Sequence, residues 1–238
     1  MKTIFSFAGA LALLFVFSAC EHAGIRCVRG EGAFVTESYA LDDFDGVSLA
    51  LDAQVFINIG PDYLVQVRAQ ENVLDELELR VRGDELSIGS DRCLRGSPDV
   101  EIFVTMPEVE LLSVSGSGTI VVDDRFATPD LRLGLSGSGR IAATTDAGRI
   151  VSNISGSGEL DLSGTADEHE VDISGSGKVR AFDLVTERTE ARISGSGRAE
   201  VNVSEQLIAN ISGSGEVVYE GTPEVISDVS GSGKVRRR

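Results

Sequence analysis

The chain has 238 residues and is strongly acidic, with 38 Asp and Glu against 21 Lys and Arg and a formal net charge of −17. A surface of this sign repels phosphate, which argues against nucleic acid as a partner. Trp is absent and aromatic residues make up only 5% of the chain, so few rings are available to stack on sugars. This composition argues against an enzyme that acts on polysaccharides.

The first 19 residues have the pattern of a targeting segment. Lys2 supplies a positive charge, and residues 4–17 are apolar but too few for a membrane-spanning helix. The segment ends in Phe17-Ser18-Ala19-Cys20, which resembles the lipobox of bacterial lipoproteins, whose cysteine carries the lipid. We therefore predict a lipoprotein signal peptide over residues 1–19 and lipidation at Cys20. Cleavage that releases a free secreted protein is the alternative.

The remaining cysteines also indicate the cell envelope. Lipidation of Cys20 leaves Cys27 and Cys93, an even pair that suits an oxidising compartment. We expect a disulfide between them, with two buried free thiols as the alternative. Glu21 stands where lipoproteins retained at the inner membrane typically carry Asp. The predicted location is therefore the outer membrane, on either its periplasmic or its outer face.

The next two segments are a tether and a region of short strands. Residues 20–33 are polar and contain Gly, as suits a tether. Residues 34–112 contain short runs of alternating apolar residues between Gly and Pro turns, which predict β-strands. Residues 72–79 could instead form one helical turn. We interpret residues 34–112 as irregular first coils or a cap of an all-β body.

The rest of the chain is a repeat. The tetrapeptide Ser-Gly-Ser-Gly occurs seven times within residues 113–238, at intervals of 18–21 residues. An aliphatic residue always precedes it, and apolar residues recur at alternate positions on both sides, as in half-buried strands. A period of this length is typical of stacked rungs. Residues 113–238 are therefore predicted to form a right-handed parallel β-helix (β-solenoid) with rungs of about 18–21 residues.

The tetrapeptide is predicted to have a fixed geometry. Its fourteen glycines would cost on the order of 7–14 kcal/mol relative to alanine inside strands, so the fold must need glycine there. Either a straight strand points both glycines inward, or the tetrapeptide forms a corner, which we favour. In both cases the serines form a ribbon, which is a candidate binding surface; a structural role in which they satisfy backbone groups is the favoured alternative. The ribbon comprises Ser115, Ser117, Ser136, Ser138, Ser155, Ser157, Ser174, Ser176, Ser194, Ser196, Ser212, Ser214, Ser230 and Ser232.

Other polar residues do not form a motif for catalysis. His22 in the tether and His169, expected in a polar turn, lack partners at zinc-like spacing. Acidic clusters such as Asp42-Asp43-Asp45 lack calcium-loop spacing. We predict no catalytic residue, no cofactor and no metal site. The basic residues 234–238 are expected to discourage edge-to-edge pairing of the last strand, with an anionic contact as the alternative.

Several of these stretches together resemble a known family. Residues 41–47, 55–60 and 101–107, leading into the tetrapeptide at Ser115, resemble the DUF2807 family (putative auto-transporter adhesin, head GIN domain). The resemblance covers about residues 34–238, and the repeated tetrapeptide is its most specific part. It implies a β-solenoid in the envelope of Gram-negative bacteria and supplies no catalytic residues.

The combined prediction is a non-enzymatic cell-envelope lipoprotein that acts as an adhesin or surface binding module. Its ligand would be a glycan or a protein, its membrane contact the lipid on Cys20, and end-to-end self-association is a further expectation. Three alternatives stay open: a structural envelope protein without a ligand, a polysaccharide-acting β-helix enzyme, and ice binding by the serine hydroxyls.

Overall fold

The computed structural model describes residues 27–95 and 99–238, so the predicted signal peptide, Cys20 and His22 lie outside the described residues. The described chain is almost entirely β-structure. Its strands are β1 Phe34–Tyr39, β2 Gly46–Leu49, β3 Gln54–Ile59, β4 Leu64–Gln70, β5 Leu77–Arg82, β6 Glu85–Ser90, β7 Glu101–Met106, β8 Leu111–Gly116, β9 Thr119–Gly137, β10 Arg140–Gly156, β11 Glu159–Gly175, β12 Lys178–Gly195, β13 Arg198–Gly213, β14 Glu216–Gly221, β15 Glu224–Gly231 and β16 Lys234–Arg237, and helix α1 is Glu71–Leu74.

The long strands stack in parallel and each contributes to two walls of a coil. β13 shows this division, because residues 198–203 pair with β14 whereas residues 206–213 pair with β15. We call the residues after a tetrapeptide the first wall and those before the next tetrapeptide the second wall. Equivalent serines are register partners, so Ser155 lies beside Ser174 and Ser174 beside Ser194. The structure confirms a β-solenoid of about 7 turns.

The core lies between the walls and repeats with each rung. The aliphatic residue before the tetrapeptide is at most 3% exposed in six rungs, and the residue five positions after the first serine is fully buried in six. These residues are Val114, Leu135, Ile154, Ile173, Ile193 and Ile211 in the first set and Ile120, Ile141, Leu160, Val179, Ala199 and Val217 in the second. Burying one such Ile or Leu contributes about 1.5–3 kcal/mol. The predicted inward positions are therefore correct.

The N-terminal region adds rungs that lack the tetrapeptide. β2 pairs with β8, and β3 pairs with β9, so the segment between β2 and β3 takes the place of a tetrapeptide corner. The amide of Thr119 donates to the Ala53 carbonyl across this corner at 2.8 Å. β6 and β7 pair with β2 and β3 and form the rung beyond. The rung of β2 and β3 is therefore stacked between the rung of β6 and β7 and the rung of β8 and β9, both of which come later in the chain.

Antiparallel strands cover the N-terminal end of the coil. β5 pairs with β6, β4 pairs with β7, and β1 pairs with β4, all antiparallel. Val73 and Leu74 of α1 pack into the core under this cap. The helical alternative for residues 72–79 is right only at its start, because β5 begins at Leu77. Within the described residues no helix is long and apolar enough to cross a membrane.

Residues 27–31 are fixed to this cap. Cys27 and Cys93 are joined by a disulfide with a Cα–Cα distance of 4.6 Å. Beside it, the amide of Val28 donates to the Cys93 carbonyl at 2.8 Å. The amide of Glu31 donates to Asn72 Oδ1 at 2.9 Å. The end of the predicted tether thus lies against the body of the protein.

Candidate functional site: the serine groove

The tetrapeptide forms a corner, and its first glycine makes the turn. Gly156 has a φ of 125°, a conformation that residues with a Cβ rarely adopt. A Cβ at Gly156 would also lie 2.6 Å from the carbonyl oxygen of Gly137 in the preceding rung. That oxygen accepts a hydrogen bond from the amide of Ser157 at 2.8 Å, and each later corner repeats this bond. The first glycine is therefore needed both for its φ and for close stacking.

The second glycine is needed for packing. Gly177 is buried, and a Cβ there would lie 2.4 Å from Cγ2 of Ile154, the aliphatic residue of the preceding rung. Its φ is not in the left-handed region, so space alone selects glycine at this position. Of the two predicted geometries, the structure contains the corner, in which the second glycine faces the core and the first does not.

The serine hydroxyls take no part in building the corner. All fourteen ribbon serines are exposed or half-buried. Across residues 27–95 and 99–238, none of their hydroxyls forms a side-chain hydrogen bond, because amide-to-carbonyl bonds between rungs satisfy the corner. The structural role that the sequence favoured for these serines is therefore filled by the backbone. The hydroxyls remain available to water or to a ligand.

The first serines of the last six tetrapeptides line a long groove on the second wall. The groove has a volume of about 710 Å³, within the range of ligand sites. One side is the column of first serines, and the other is the column of residues two positions earlier. Aliphatic residues between the columns form the floor, and the lining includes Ser136, Ser155, Ser174, Ser194, Ser212, Ser230, Ser113, Gly134, Asn153, Asp172, Arg192, Asn210 and Asp228.

The structure separates the predicted ribbon into two parts. The second serines, such as Ser157 and Ser176, do not line the groove, and neither does Ser115. The second serines lie at the corner itself, where only their amides have a structural task. A groove side formed by the residues two positions before each tetrapeptide was not predicted. Because these positions alternate with buried ones, strand periodicity marks them as outward-facing, but it does not show that they border a groove.

One cation lies in the groove, and carboxylates already surround it. Arg192 contacts Glu190 at 2.6 Å, Glu170 at 2.8 Å and Asp172 at 3.5 Å. Hydrogen bonds from Arg192 and Arg149 lower the pKa of Glu170. Asp228 adds a negative charge at the C-terminal end of the groove. The groove therefore offers hydroxyls and amides together with a locally compensated cation, a set that suits an uncharged ligand.

The first wall carries interleaved charges on its outer face. Arg140 contacts Asp161 at 3.0 Å, and Arg180 of the next rung contacts Asp161 at 3.5 Å and also Glu159. Burial is the main cause that raises the pKa of Asp161, and Arg140 opposes it. Exposed pairs of this kind each contribute about 0–1 kcal/mol. Because the charges compensate one another, this wall is a weaker candidate for binding than the groove.

His169 does not lie in a polar turn, so that expectation is wrong. It occupies an inward position of the second wall and is 2% exposed, and the equivalent residues of other rungs include Leu131 and Leu207. Its Nε2 lies 3.0 Å from Ser152 Oγ, whereas Nδ1 has no hydrogen-bond partner among the described residues. Burial lowers the pKa of His169 to about 4. The ring is therefore a neutral core residue at pH 7.

The acidic clusters serve local structure. Glu168 contacts Arg188 at 3.1 Å, and Asp124 Oδ2 accepts the amide of Ile59 at 3.0 Å. Burial and neighbouring Asp84 raise the pKa of Asp45. In the part of the chain that the structure describes, no group of three or more His, Cys, Asp or Glu could hold a metal ion.

The parallel stacked rungs place the chain in the class of β-solenoid proteins. Comparison with known families agrees. The model of the family described as DUF2807, putative auto-transporter adhesin, head GIN domain, matches residues 43–223, and the chain belongs to this family. No match was found among curated proteins.

Solved structures share the fold. A putative adhesin from Bacteroides fragilis has a TM-score of 0.84 at 20% identity, with 89% of this chain and 100% of that chain covered. A putative lipid binding protein from Parabacteroides distasonis has a TM-score of 0.73 at 24% identity, with 90% and 100% covered. A putative adhesin from Parabacteroides merdae has a TM-score of 0.72 at 19% identity, with 89% and 98% covered. At these identities the likeness establishes the fold alone.

Proposed function

We propose that the protein is a non-enzymatic, adhesin-like binding module, held at the cell envelope by a lipid on Cys20, and that the serine groove binds its ligand. The observation that carries this proposal is the column of exposed first serines whose hydroxyls make no hydrogen bond with the described residues. From Ser136 to Ser230 the column spans five rung steps, or about 24 Å at the usual strand spacing. A groove of this length fits an extended polymer.

The ligand that fits best is an uncharged glycan. Serine hydroxyls recur at every rung of the groove, and the amides of Asn153 and Asn210 lie across from them. Such groups donate and accept hydrogen bonds with sugar hydroxyls. The carboxylates around Arg192 leave this cation little attraction for a phosphate or sulfate.

The spacing of carboxylates in the groove supports binding without catalysis. Asp172 and Asp228 lie three rungs apart along the groove, about 14 Å at the usual strand spacing. Glycosidases place their two carboxyl groups roughly 5–9.5 Å apart. Moreover, Asp172 already contacts Arg192 at 3.5 Å. These two residues are therefore poorly placed to act as an acid and base pair.

The test is a binding screen with two matched variants. The purified protein is applied to arrays of envelope and host glycans, with a protein array as a second arm. One variant carries Ser155→Lys, Ser174→Lys and Ser194→Lys in the groove, and the control carries Ser157→Lys, Ser176→Lys and Ser196→Lys at the corner of the same rungs. We expect glycan binding that the groove variant loses and the corner variant keeps, with circular dichroism unchanged in both.

Other outcomes of the screen each have a meaning. Binding that survives in the groove variant would place the ligand elsewhere, and binding only to proteins would replace the glycan as ligand class. The absence of any binding would favour a structural role in the envelope.

A further inference from the structure

The last rung leaves the core open at the C-terminal end of the coil. Val225 and Val229 of β15 are 37% and 38% exposed. Their register partners one rung earlier, Leu207 and Ile211, are 0% and 3% exposed. Inward positions that form the core in the preceding rungs are therefore uncovered here. Covering two such side chains would contribute about 1–2 kcal/mol each.

The backbone of this rung is also open on one side. Within the described residues, β15 pairs only with β13, and β16 pairs only with β14. A strand edge with free amides and carbonyls is a template for another strand. The N-terminal end differs, because antiparallel β1, β4 and β5 and helix α1 cover it. The two ends of the coil are therefore not equivalent.

The two strands of the open rung carry opposite charges. β15 contains Glu224 and Asp228, whereas β16 contains Lys234, Arg236 and Arg237. Arg236 contacts Glu216 at 2.6 Å. Arg238 beyond β16 contacts Glu220 and lies 4.7 Å from the ring centroid of Phe182. Because two of the basic residues are engaged within the chain, the cluster opposes pairing less than its sequence predicts.

We propose that two copies of the chain associate through this last rung. The twofold axis that relates them lies in the plane of the rung, runs parallel to its strands and passes through the Ser230–Gly233 corner. A second copy has a last rung of the same shape, so the two strands and the corner of one copy can all contact the last rung of the other. This axis places β15 antiparallel to β16 of the other copy, because β15 runs towards the corner and β16 runs away from it. Acidic β15 then faces basic β16 twice.

The other twofold arrangement is disfavoured by charge. An axis perpendicular to the wall would place β15 against β15 and β16 against β16, so that like charges meet. The proposed contact is the same patch on both copies, and such an interface closes into a dimer and does not extend into a filament. This proposal is independent of the serine groove, which lies along the side of the coil.

The test is sedimentation equilibrium of the purified protein and of charge-swapped variants. We expect wild type to form a dimer whose dissociation constant rises about tenfold or more in each of two variants. One carries Glu224→Lys and Asp228→Lys, and the other carries Lys234→Glu and Arg237→Glu. An equimolar mixture of the two should form a heterodimer that is tighter than either variant's own dimer, because both of its strand contacts again join opposite charges.

An apolar pair of variants checks the open core. Val229→Lys should abolish the dimer. Val185→Lys is the control: Val185 is 47% exposed, but it lies away from the last rung, so this change should leave the dimer intact. A monomeric wild type at high micromolar concentration, or a filament, would overturn the proposal. So would charge-swapped variants that fold and dimerise as tightly as wild type, or a dimer that Val229→Lys leaves intact.

Discussion

Replacing the first glycine of a corner by alanine tests the stacking of the rungs. Gly116 and Gly156 have the same backbone conformation, with φ of 123° and 125°. They differ in surroundings, because a Cβ at Gly116 meets nothing within 4 Å, whereas a Cβ at Gly156 meets the Gly137 carbonyl oxygen at 2.6 Å. Gly116→Ala therefore reports backbone strain alone, and Gly156→Ala reports strain plus the stacking contact.

The two costs can be separated in magnitude. A residue with a Cβ held at such a φ costs about 1–3 kcal/mol, which is the loss of unfolding free energy expected for Gly116→Ala. Forcing an extra carbon into a packed contact adds about 1–3 kcal/mol, so Gly156→Ala should lose roughly 2–6 kcal/mol in total. Gly89→Ala is the control, because its Cβ meets nothing and its φ is not left-handed. It should change stability by about 1 kcal/mol or less.

Urea denaturation followed by far-ultraviolet circular dichroism measures these differences, since the chain has no Trp for fluorescence. The expected order of midpoints is Gly89→Ala highest, Gly116→Ala intermediate and Gly156→Ala lowest. Equal midpoints for Gly156→Ala and Gly89→Ala would refute the stacked corner.

Two further predictions concern buried chemistry. Burial lowers the pKa of His169 from its usual 6.5 to about 4 in the folded protein. The neutral ring therefore contributes up to about 3 kcal/mol to the free energy of unfolding. This contribution is complete above pH 6.5 and is lost as the pH falls towards 4. His169→Leu places the residue type of Leu131 and Leu207 at this position. It should make the urea midpoint depend less on pH between pH 7 and 4.5, and an unchanged pH dependence would contradict this. The Cys27–Cys93 disulfide spans 66 residues, and replacing both cysteines by serine should cost roughly 2–4 kcal/mol. Equal urea midpoints for this double variant and the oxidised wild type would contradict a stabilising bridge.

The periodic half of the fold could be predicted because each rung repeats the same physical problem. An aliphatic residue before the tetrapeptide and another five positions after its first serine must both be buried in the core, and Ile154 and Leu160 are buried in the structure. His169 was misplaced although the signal was present. It is five positions before Ser174, at the same parity as buried Ile173 and Val171. Its acidic neighbours indicated a turn, but the register of the repeat decides its position.

The non-repeating half could be predicted only as strands. Nothing in the sequence of β2 and β3 indicates that their rung lies between β6–β7 and β8–β9, because that order depends on long-range pairing. The groove, too, could be predicted from the sequence only in part. The serine column follows from the repeat, but the opposite side contains Asn153, Asp172 and Arg192, whose residue types do not repeat.

The measurement that tests the central claim most directly is the affinity of the best array ligand for two alanine variants, determined by isothermal titration calorimetry. One variant carries Ser155→Ala, Ser174→Ala and Ser194→Ala in the groove, and the other carries Ser157→Ala, Ser176→Ala and Ser196→Ala at the corner. Each lost hydrogen bond is worth about 0.5–1.5 kcal/mol, so the groove variant should bind at least about tenfold more weakly while the corner variant matches wild type. Equal affinity of all three proteins would contradict a binding role for the first serines.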